Sequence, residues 1–372
     1  MYIHELEAWP LVRWDWERLA APLAAVRHRQ GLVVGHMQAL GFQLRQEAVL
    51  ETLTTDVLES SEIEGEKLDA DQVRSSIARR LGMEVGALHA PDRSVEGIVE
   101  MMLDATRRYD APLTDERLFA WHAALFPAGR SGMSRIIVGG WRDDREGPMR
   151  VVSGPIGKER VHFVAPPARR LTREMGAFLE WFNAGDDLDG VVRAALAQLW
   201  FVTIHPFDDG NGRIARAIAD MTLARSENSS QRFYSMSSQI RREQPAYYDV
   251  LEHTQRGAID VTLWMEWFVG CLGRAIAGAQ GMLDGVLVKA GFWRHFRDVA
   301  VSARQRVVLN RLLNGLAGAL TTSRYATLAT CSKDTALRDI HALVESGMLV
   351  RSPSGGRSTS YALAPVSAEA LL

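Results

Sequence analysis

Twelve consecutive residues bring together several groups that bind or transfer phosphate: His205-Pro206-Phe207-Asp208-Asp209-Gly210-Asn211-Gly212-Arg213-Ile214-Ala215-Arg216. The two glycines allow a backbone to approach a ligand closely, and the two arginines offer planar forks suited to phosphate oxygens. Asp209 can bind a hard cation such as Mg²⁺, and His205 can accept a proton near neutral pH. The segment therefore predicts a phosphate-transfer site with a base, a metal ligand and an anion cradle.

The sequence on both sides of this segment predicts two helices joined by a loop. Residues 190–204 are almost entirely apolar and rich in alanine, which is typical of a buried helix. Residues 212–225 repeat apolar side chains at helical spacing. The second helix begins where the loop ends, so its free N–H groups and positive dipole end face the loop. Arg213 and Arg216 then lie about one turn apart and can reach the same phosphate chain.

The segment resembles the motif of the Fic (filamentation induced by cAMP) family, which reads His-x-Phe-x-Asp/Glu-Gly-Asn-Gly-Arg-x-x-Arg, and every specified position is filled. A helix–loop–helix linker with a Gly-Asn-Gly turn is the other interpretation, and it accounts for single residues better than for the whole set. The resemblance implies a mainly α fold with a helical Fic core and a β-hairpin flap. It also implies transfer of AMP from ATP to a Ser, Thr or Tyr hydroxyl of a target protein.

Site residues follow from the resemblance position by position. His205 is the expected general base, and Asp209 is the expected ligand of Mg²⁺ or Mn²⁺. Arg213 is expected to hold the α- and β-phosphates, and Arg216 the γ-phosphate. The remaining nucleotide-binding positions of the motif are an apolar anchor and an anion nest, namely Phe207, Gly210, Asn211 and Gly212.

A second motif lies far upstream, at the end of a helical pattern over residues 43–65. Ser60 and Glu64 are four residues apart and share a helix face, and Gly65 is a suitable helix stop. This resembles the inhibitory Ser/Thr-x-x-x-Glu-Gly/Asn motif of many Fic proteins, in which the glutamate pairs with the second motif arginine. The resemblance implies that Glu64 occupies the fork of Arg216 and holds ATP in a pose unsuited to attack. An ordinary solvated acidic helix end is the alternative.

A hairpin is predicted within residues 150–167, where the runs Val151–Val152 and Val161–Val164 enclose a Gly/Pro-rich turn. It resembles the Fic flap, which pairs with the backbone of the target by strand addition. The alternative is a hairpin that only connects two helices. The resemblance assigns target binding to the second run, namely Val161, His162, Phe163 and Val164.

Three further positions have a predicted place in or near the site. Tyr247 and Tyr248 resemble part of a Tyr-Tyr-x-x-Leu segment of the family and could border the adenine, although core packing is an equally good account. Arg142 is expected to hold the loop before the hairpin by ion pairs. His122, among aromatic and apolar neighbours, is expected to be a core residue with satisfied hydrogen bonds.

The chain is predicted to have three parts, which are an N-terminal helical region with the inhibitory helix (1–90), a Fic catalytic core (91–283) and a winged-helix-like domain (290–372). Residues 286–360 carry 11 Lys and Arg against 4 Asp and Glu, whereas the formal net charge of the whole chain is −2. The last part resembles a winged helix-turn-helix in which Ser332 caps the recognition helix and residues 352–358 form the wing tip. Candidate DNA contacts are Lys333, Arg338, Arg351 and Arg357. Packing or protein contact is the alternative role.

Composition indicates a globular enzyme, since 47% of the 372 residues are hydrophobic and the small net charge creates no general attraction to nucleic acid or membrane. The two cysteines, Cys271 and Cys331, lack metal-ligand spacing and exclude a disulfide framework, which favours a cytoplasmic setting. Neither a leader peptide nor an uncharged stretch of membrane-spanning length is seen. A homodimer is left open.

The expected function is therefore that of an autoinhibited protein adenylyltransferase with ATP as substrate. The alternatives are a DNA-binding regulator with a nucleotide-sensing Fic core, and an enzyme that removes AMP with Glu64 aligning a water molecule. His205 argues against a pure sensor, because binding alone requires no base. The sequence identifies neither the target protein nor ATP over another nucleotide.

Overall fold

The computed structural model describes residues 1–39, 42–83, 91–145, 147–155, 158–185, 187–313, 315–316, 319–352 and 359–365. These residues form a mainly helical fold, as predicted. They divide into two compact units, the first made of residues 1–40 and 49–279 and the second of residues 41–48 and 280–372. The predicted three-part division stays a prediction.

Among the described residues, short 3₁₀ turns occur at Ile3–Glu5, before the first helix, and at Ala168–Arg170. In chain order the helices are α1 (Trp16–Ala39), α2 (Phe42–Ile63), α3 (Ala70–Arg80), α4 (Arg93–Arg107), α5 (Asp115–Leu125), α6 (Leu171–Asn183), α7 (Gly190–Ile204), α8 (Asn211–Glu227), α9 (Met236–Arg242), α10 (Gln244–Gln255) and α11 (Thr262–His295). Within the described ranges, no helix combines the length and the apolar composition needed to cross a bilayer.

The α7 and α8 helices form the packed centre of the first unit. The Asp189 side chain caps α7 by accepting hydrogen bonds from the N–H groups of Val191 and Val192. Nearly every α7 side chain is buried, which agrees with its apolar sequence. The two predicted helices are therefore confirmed, and their junction at residues 205–210 places the motif loop between two well-packed elements.

Two short antiparallel strand pairs complete the first unit, β1 (Arg130–Ser131) with β2 (Ser134–Arg135) and β3 (Arg150–Ser153) with β4 (Arg160–Val164). The second pair confirms the predicted hairpin. Its register shifts by one residue, because Val151 faces Phe163 whereas Val152 faces Val161. His162 is therefore the extra residue of a β-bulge on β4.

The second unit contains α12 (Ala303–Leu313), α13 (Thr322–Leu328), α14 (Lys333–Glu345), and the strands β5 (Leu320–Thr321), β6 (Leu349–Arg351) and β7 (Ser360–Leu363). The strands form an antiparallel sheet in the order β5-β7-β6, and a separate apolar core lies beneath it. The Ser332 side chain accepts a hydrogen bond from Thr335 N–H, so the predicted cap of α14 is confirmed.

Of the candidate DNA contacts, Lys333, Arg338 and Arg351 are exposed. The predicted wing tip beyond Ser352, with Arg357, lies outside the described residues. Assignment of this unit as a winged helix, and its contact with DNA, stay predictions.

Candidate active site

The loop between α7 and α8 begins with His205 in a left-handed backbone conformation, with φ of 52°. Such a conformation costs a non-glycine residue about 1–3 kcal/mol and needs support from its surroundings. Arg142 provides that support, because its Nε donates a 2.7 Å hydrogen bond to the His205 carbonyl. The same buried guanidinium donates to the Pro166 carbonyl at 2.6 Å and to Asp144 at 3.1 Å. Arg142 forms the expected ion pair within its own loop before the hairpin, to Asp144, and its contacts with two backbone carbonyls also hold the loop between α7 and α8.

His205 is neutral at physiological pH. Burial is the main cause that lowers its pKa to about 4, and the positive charge of Arg142 adds to this effect. The Nδ1 atom lies 3.2 Å from the Val202 carbonyl, so Nδ1 carries the hydrogen in the neutral ring. The Nε2 atom is then an acceptor, which is the form a general base requires.

Phe207 and Asn211 fix the middle of the loop. Phe207 is fully buried and stacks on the His122 ring at 4.2 Å between centroids. The Asn211 side chain accepts from Phe207 N–H at 3.0 Å and donates to the Phe207 carbonyl at 2.8 Å. His122 is buried, as expected, and its Nε2 lies 3.2 Å from the Asp209 carbonyl, but its Nδ1 has no hydrogen-bond partner among the described residues, so the expected full satisfaction of the ring is wrong. The Asn211 side chain shapes the loop, so its part in an anion nest would come from its backbone N–H.

Two glycines allow the close packing of the loop. Gly210 has φ of 80°, and a Cβ atom there would lie 2.9 Å from the Phe126 ring. A Cβ atom on Gly212 would lie 2.2 Å from a carboxylate oxygen of Glu64. Any side chain at either position would therefore displace the neighbours that enclose the start of α8.

Asp209 lies at the start of α8 and offers hard oxygen atoms there. One carboxylate oxygen accepts from Gly210 N–H at 2.6 Å, and the other accepts from the Ser131 hydroxyl. In the described part of the chain, no group of three or more His, Cys, Asp or Glu side chains could hold a metal ion. Mg²⁺ is often bound by one or two carboxylates together with substrate phosphates, so the donor set of Asp209 fits an ion that arrives with a nucleotide.

Arg216 meets the end of the predicted inhibitory helix. Its side chain is buried, and its Nη2 donates to Glu64 at 2.8 Å and to the Ser60 carbonyl at 2.8 Å. Its Nε donates to the Ser60 hydroxyl at 3.0 Å. Glu64 comes directly after α2, and Gly65 reverses the chain with φ of 81°. The structure therefore brings Ser60, Glu64, Gly65 and Arg216 together.

Arg213 has an acidic partner that the sequence reasoning missed. Its Nη1 donates to a carboxylate oxygen of Glu66, and its guanidinium lies 5.1 Å from the centre of the Phe126 ring. Glu66 N–H bonds back to the Ser61 carbonyl at 3.0 Å, so the turn at Gly65 aims Glu66 at the same helix as Glu64. The sequence feature that could have indicated this contact is the acidic Glu66, which lies two residues after Glu64 and directly after Gly65 at the helix end.

The two tyrosines of α10 occupy different environments. Tyr247 is buried beside Trp267, at 5.3 Å between ring centroids, and burial raises its pKa to about 12. Tyr248 is 43% exposed, and its hydroxyl donates to the Ile63 carbonyl at 3.3 Å, next to Glu64. Tyr247 is thus a core residue and Tyr248 a rim residue of this region, and adenine contact stays a prediction for both.

In the predicted target-binding strand, one side chain is buried and the other three are partly accessible. Phe163 is buried against Tyr2, at 5.2 Å between ring centroids. Partly buried environments are found for Val161, His162 and Val164. The carbonyls of Val161 and His162 already accept hydrogen bonds from Arg256, and target binding by this strand stays a prediction.

Comparison with known proteins gives two domain matches. Residues 112–223 match the Fic/DOC family, and residues 2–83 match a domain of unknown function, DUF4172. The chain is 27% identical to protein adenylyltransferase fic-1 of Caenorhabditis briggsae over 179 residues, 47% of this chain and 32% of that protein. It is 30% identical to a uridine 5'-monophosphate transferase of Xanthomonas campestris pv. campestris over 131 residues, 31% of this chain and 22% of that protein. The chain thus spans about a third or less of these relatives.

Two solved structures share the fold. A Fic family protein from Desulfovibrio desulfuricans G20 has a TM-score of 0.52 and 22% identity, covering 92% of this chain and 95% of its own. A Fic domain containing signaling protein from Bacteroides thetaiotaomicron has a TM-score of 0.51 and 19% identity, and the match covers 70% of this chain and 97% of that protein's chain. Together with the filled motif at residues 205–216, these matches show that the chain contains a Fic/DOC family domain.

Proposed function

We propose that this protein is an autoinhibited protein adenylyltransferase that uses ATP. The observation that carries the proposal is a neutral His205 at the end of α7, in the loop that leads into α8, whose first turns present Arg213 and Arg216. A base next to a helix N-terminus and two guanidinium groups can activate a hydroxyl and stabilise a phosphate chain at the same time. Relatives named as protein adenylyltransferases support AMP as the transferred group.

In the proposed reaction, His205 Nε2 accepts the proton of a target hydroxyl. The hydroxyl oxygen forms a bond to the α-phosphorus, the bond from that phosphorus to the bridging β-phosphate oxygen breaks, and pyrophosphate leaves. Arg213 and the N-terminus of α8 hold the phosphates and stabilise the charge that develops on them. A Mg²⁺ or Mn²⁺ ion, when bound, supplies further charge neutralisation, and Asp209 is the residue that would hold it.

Inhibition in this proposal involves both motif arginines. Glu64 occupies Arg216, the arginine assigned to the γ-phosphate, and Glu66 occupies Arg213, the arginine assigned to the α- and β-phosphates. Each carboxylate pairs with one nitrogen of its guanidinium and adds negative charge where a polyphosphate must bind, although Arg213 Nε and Arg216 Nη1 stay buried without a hydrogen-bond partner among the described residues. The resting protein is therefore expected to disfavour nucleotide binding as well as the productive pose.

The test is incubation of the Glu64→Gly protein with ATP, UTP, GTP or CTP and Mg²⁺, followed by mass spectrometry of the intact protein. AMP adducts from ATP are expected. A preference for UTP over ATP would contradict ATP as the proposed substrate. UTP is included because one relative is a uridine 5'-monophosphate transferase. Release of AMP from modified protein by the unaltered chain, without net transfer by the variant, would instead support AMP removal.

Replacement of Glu66 by Gln should increase the affinity for a non-transferable ATP analogue, with a methylene group between the α- and β-phosphorus atoms, by about three- to tenfold. The carboxylate is 42% exposed, so solvent screening keeps its effect below that of a buried pair. Isothermal titration calorimetry measures the change. Glu62→Gln is the matched control, because Glu62 is 39% exposed and pairs with Arg241 instead. Equal affinities of the two variants would contradict the role of Glu66.

A further inference from the structure

The β1–β2 hairpin carries a hydroxyl that bonds to the acid assigned to the metal ion. Ser131 Oγ donates a hydrogen bond to Asp209 Oδ2, and the other oxygen, Oδ1, accepts from Gly210 N–H at 2.6 Å. Both carboxylate oxygens are therefore held by donors, one from the motif loop itself and one from a strand 78 residues earlier in the chain. The proposed function uses Asp209 but gives Ser131 no part.

A tight turn fixes the position of Ser131. This residue pairs with Ser134 across the two strands, so only Gly132 and Met133 connect them. Gly132 has φ of 53°, and a glycine at the first central position is typical of the type II′ turn that closes two-residue hairpins. Because the length and type of a turn set the register of its strands, this turn also sets the place of Ser131 beside Asp209.

The chain continues from the hairpin along the motif loop, in the opposite direction to that loop. Residues 131–142 contact the loop in reverse order, namely Ser131 with Asp209, Ile137 with Asp208, Trp141 with Phe207, and Arg142 with Pro206. Two of these contacts are hydrogen bonds from backbone N–H groups, from Ile137 to the Asp208 carboxylate at 2.8 Å and from Arg142 to the Pro206 carbonyl at 3.0 Å. The Ser131 contact is thus the first of an ordered series.

A divalent cation makes strict demands on the carboxylate that binds it. Mg²⁺ requires near-ideal octahedral geometry, so the orientation of the carboxylate matters. Carboxylates that bind metal ions are usually oriented by hydrogen bonds from neighbouring groups, and loss of such a neighbour typically lowers metal affinity by about 10- to 100-fold. Each carboxylate oxygen has two lone pairs, so Asp209 Oδ2 can accept from Ser131 and still offer a lone pair to an ion.

We propose that Ser131 is a positioning residue, which orients the Asp209 carboxylate for a divalent cation that binds together with a nucleoside triphosphate. The hydrogen bond from Gly210 fixes one oxygen and the hydrogen bond from Ser131 fixes the other, so the plane of the carboxylate is set before the ion arrives. The inference rests on the proposed function for its nucleotide and its metal ion. It adds the β1–β2 hairpin to the elements that build the site.

The experiment measures how much Mg²⁺ strengthens binding of the methylene-containing ATP analogue to the Glu64→Gly protein. Isothermal titration calorimetry gives the affinity with Mg²⁺ and with a chelator, and the ratio of the two is the metal-dependent gain. In Ser131→Ala this gain is expected to fall about tenfold, as is typical for loss of a group that orients a metal ligand. Affinity in the chelator should stay the same, because the arginine contacts to the phosphates are unchanged. Ser131→Thr, which keeps the hydroxyl, should restore the gain.

Ser134→Ala is the matched control, because it removes the hydroxyl of the exposed residue opposite Ser131 and should keep the full gain. Asp209→Ala is the reference for complete loss of the gain. A full gain in Ser131→Ala, with loss in Asp209→Ala, would overturn this inference and leave the proposed function intact. Equal losses in Ser131→Ala and Ser134→Ala would show a general effect of the hairpin and also overturn it. A full gain in both Ser131→Ala and Asp209→Ala would refute the metal assignment of Asp209 as well.

Discussion

Replacement of His205 by asparagine is expected to lower the rate of nucleotidyl transfer by about 10² to 10⁴-fold, because the target hydroxyl loses its general base. Asparagine suits this test better than alanine, since it tolerates the left-handed backbone that the structure shows at this position. The Arg142 contact is made to the backbone carbonyl and should survive the change. Transfer is measured with labelled ATP in a Glu64→Gly background. Near-normal labelling by this variant would end the assignment of His205.

Two further measurements accompany this variant. Affinity for the ATP analogue should stay unchanged, which separates loss of the base from loss of the phosphate site. The pH profile of kcat/KM for the Glu64→Gly protein should have its acid limb no higher than about pH 4, because burial lowers the pKa of His205 to about 4 and the variant lacks the Glu64 charge, which raises that pKa. A limb near pH 6.5 that disappears in His205→Asn would show an imidazole with its ordinary pKa and contradict the lowered pKa of the base.

Replacement of Glu64 by glycine is expected to raise self-modification or target modification by about ten- to a hundredfold. A hydrogen bond between charged groups is worth about 1.5–3 kcal/mol, which corresponds to that range. The pair is only partly open to solvent, with the Arg216 side chain 2% and the Glu64 side chain 32% exposed. Removing Glu64 frees the guanidinium for the γ-phosphate. The measurement is the initial rate of AMP incorporation at fixed ATP.

A double-mutant cycle tests whether this gain depends on Arg216. In the protein carrying Glu64→Gly together with Arg216→Ala, most of the gain should vanish, because the freed fork is absent. If Glu64→Gly alone leaves the rate unchanged, the α2 end is an ordinary acidic helix terminus and the inhibitory assignment fails. A full gain in the doubly changed protein would instead show that Glu64 acts through a group other than Arg216.

The parts of the site that were predictable from sequence are those encoded locally. Residues 190–204 and 212–225 carry their own helical patterns, so α7, α8 and the loop between them follow from neighbouring residues. The cap at Ser332 and the strands of the β3–β4 hairpin also depend on short-range patterns, and both are present. The pairing of Glu64 with Arg216, across 152 residues, was predicted only because two motifs were read together.

The parts that were missed depend on chain segments meeting in three dimensions. The contact of Glu66 with Arg213 requires the turn at Gly65 to approach α8, and no periodicity in either segment encodes that approach. The Ser131 hydroxyl on Asp209 is a contact of the same kind, between a short strand and a distant loop. The bulge at His162 changes a single register position, which alternation of apolar residues cannot reveal.

The shared guanidinium of Arg142 has a consequence for how this protein could acquire new targets. One buried, rigid group joins the chain leaving the hairpin to the backbone of His205. In the proposed reaction, the spacing between the docking strand and the proton acceptor is thus set before any substrate arrives, which is the condition for efficient reaction between bound groups. Substitutions on the outward face of the hairpin can then change which proteins bind. The spacing between the hairpin and His205, which Arg142 fixes, would stay the same, and so would the chemistry.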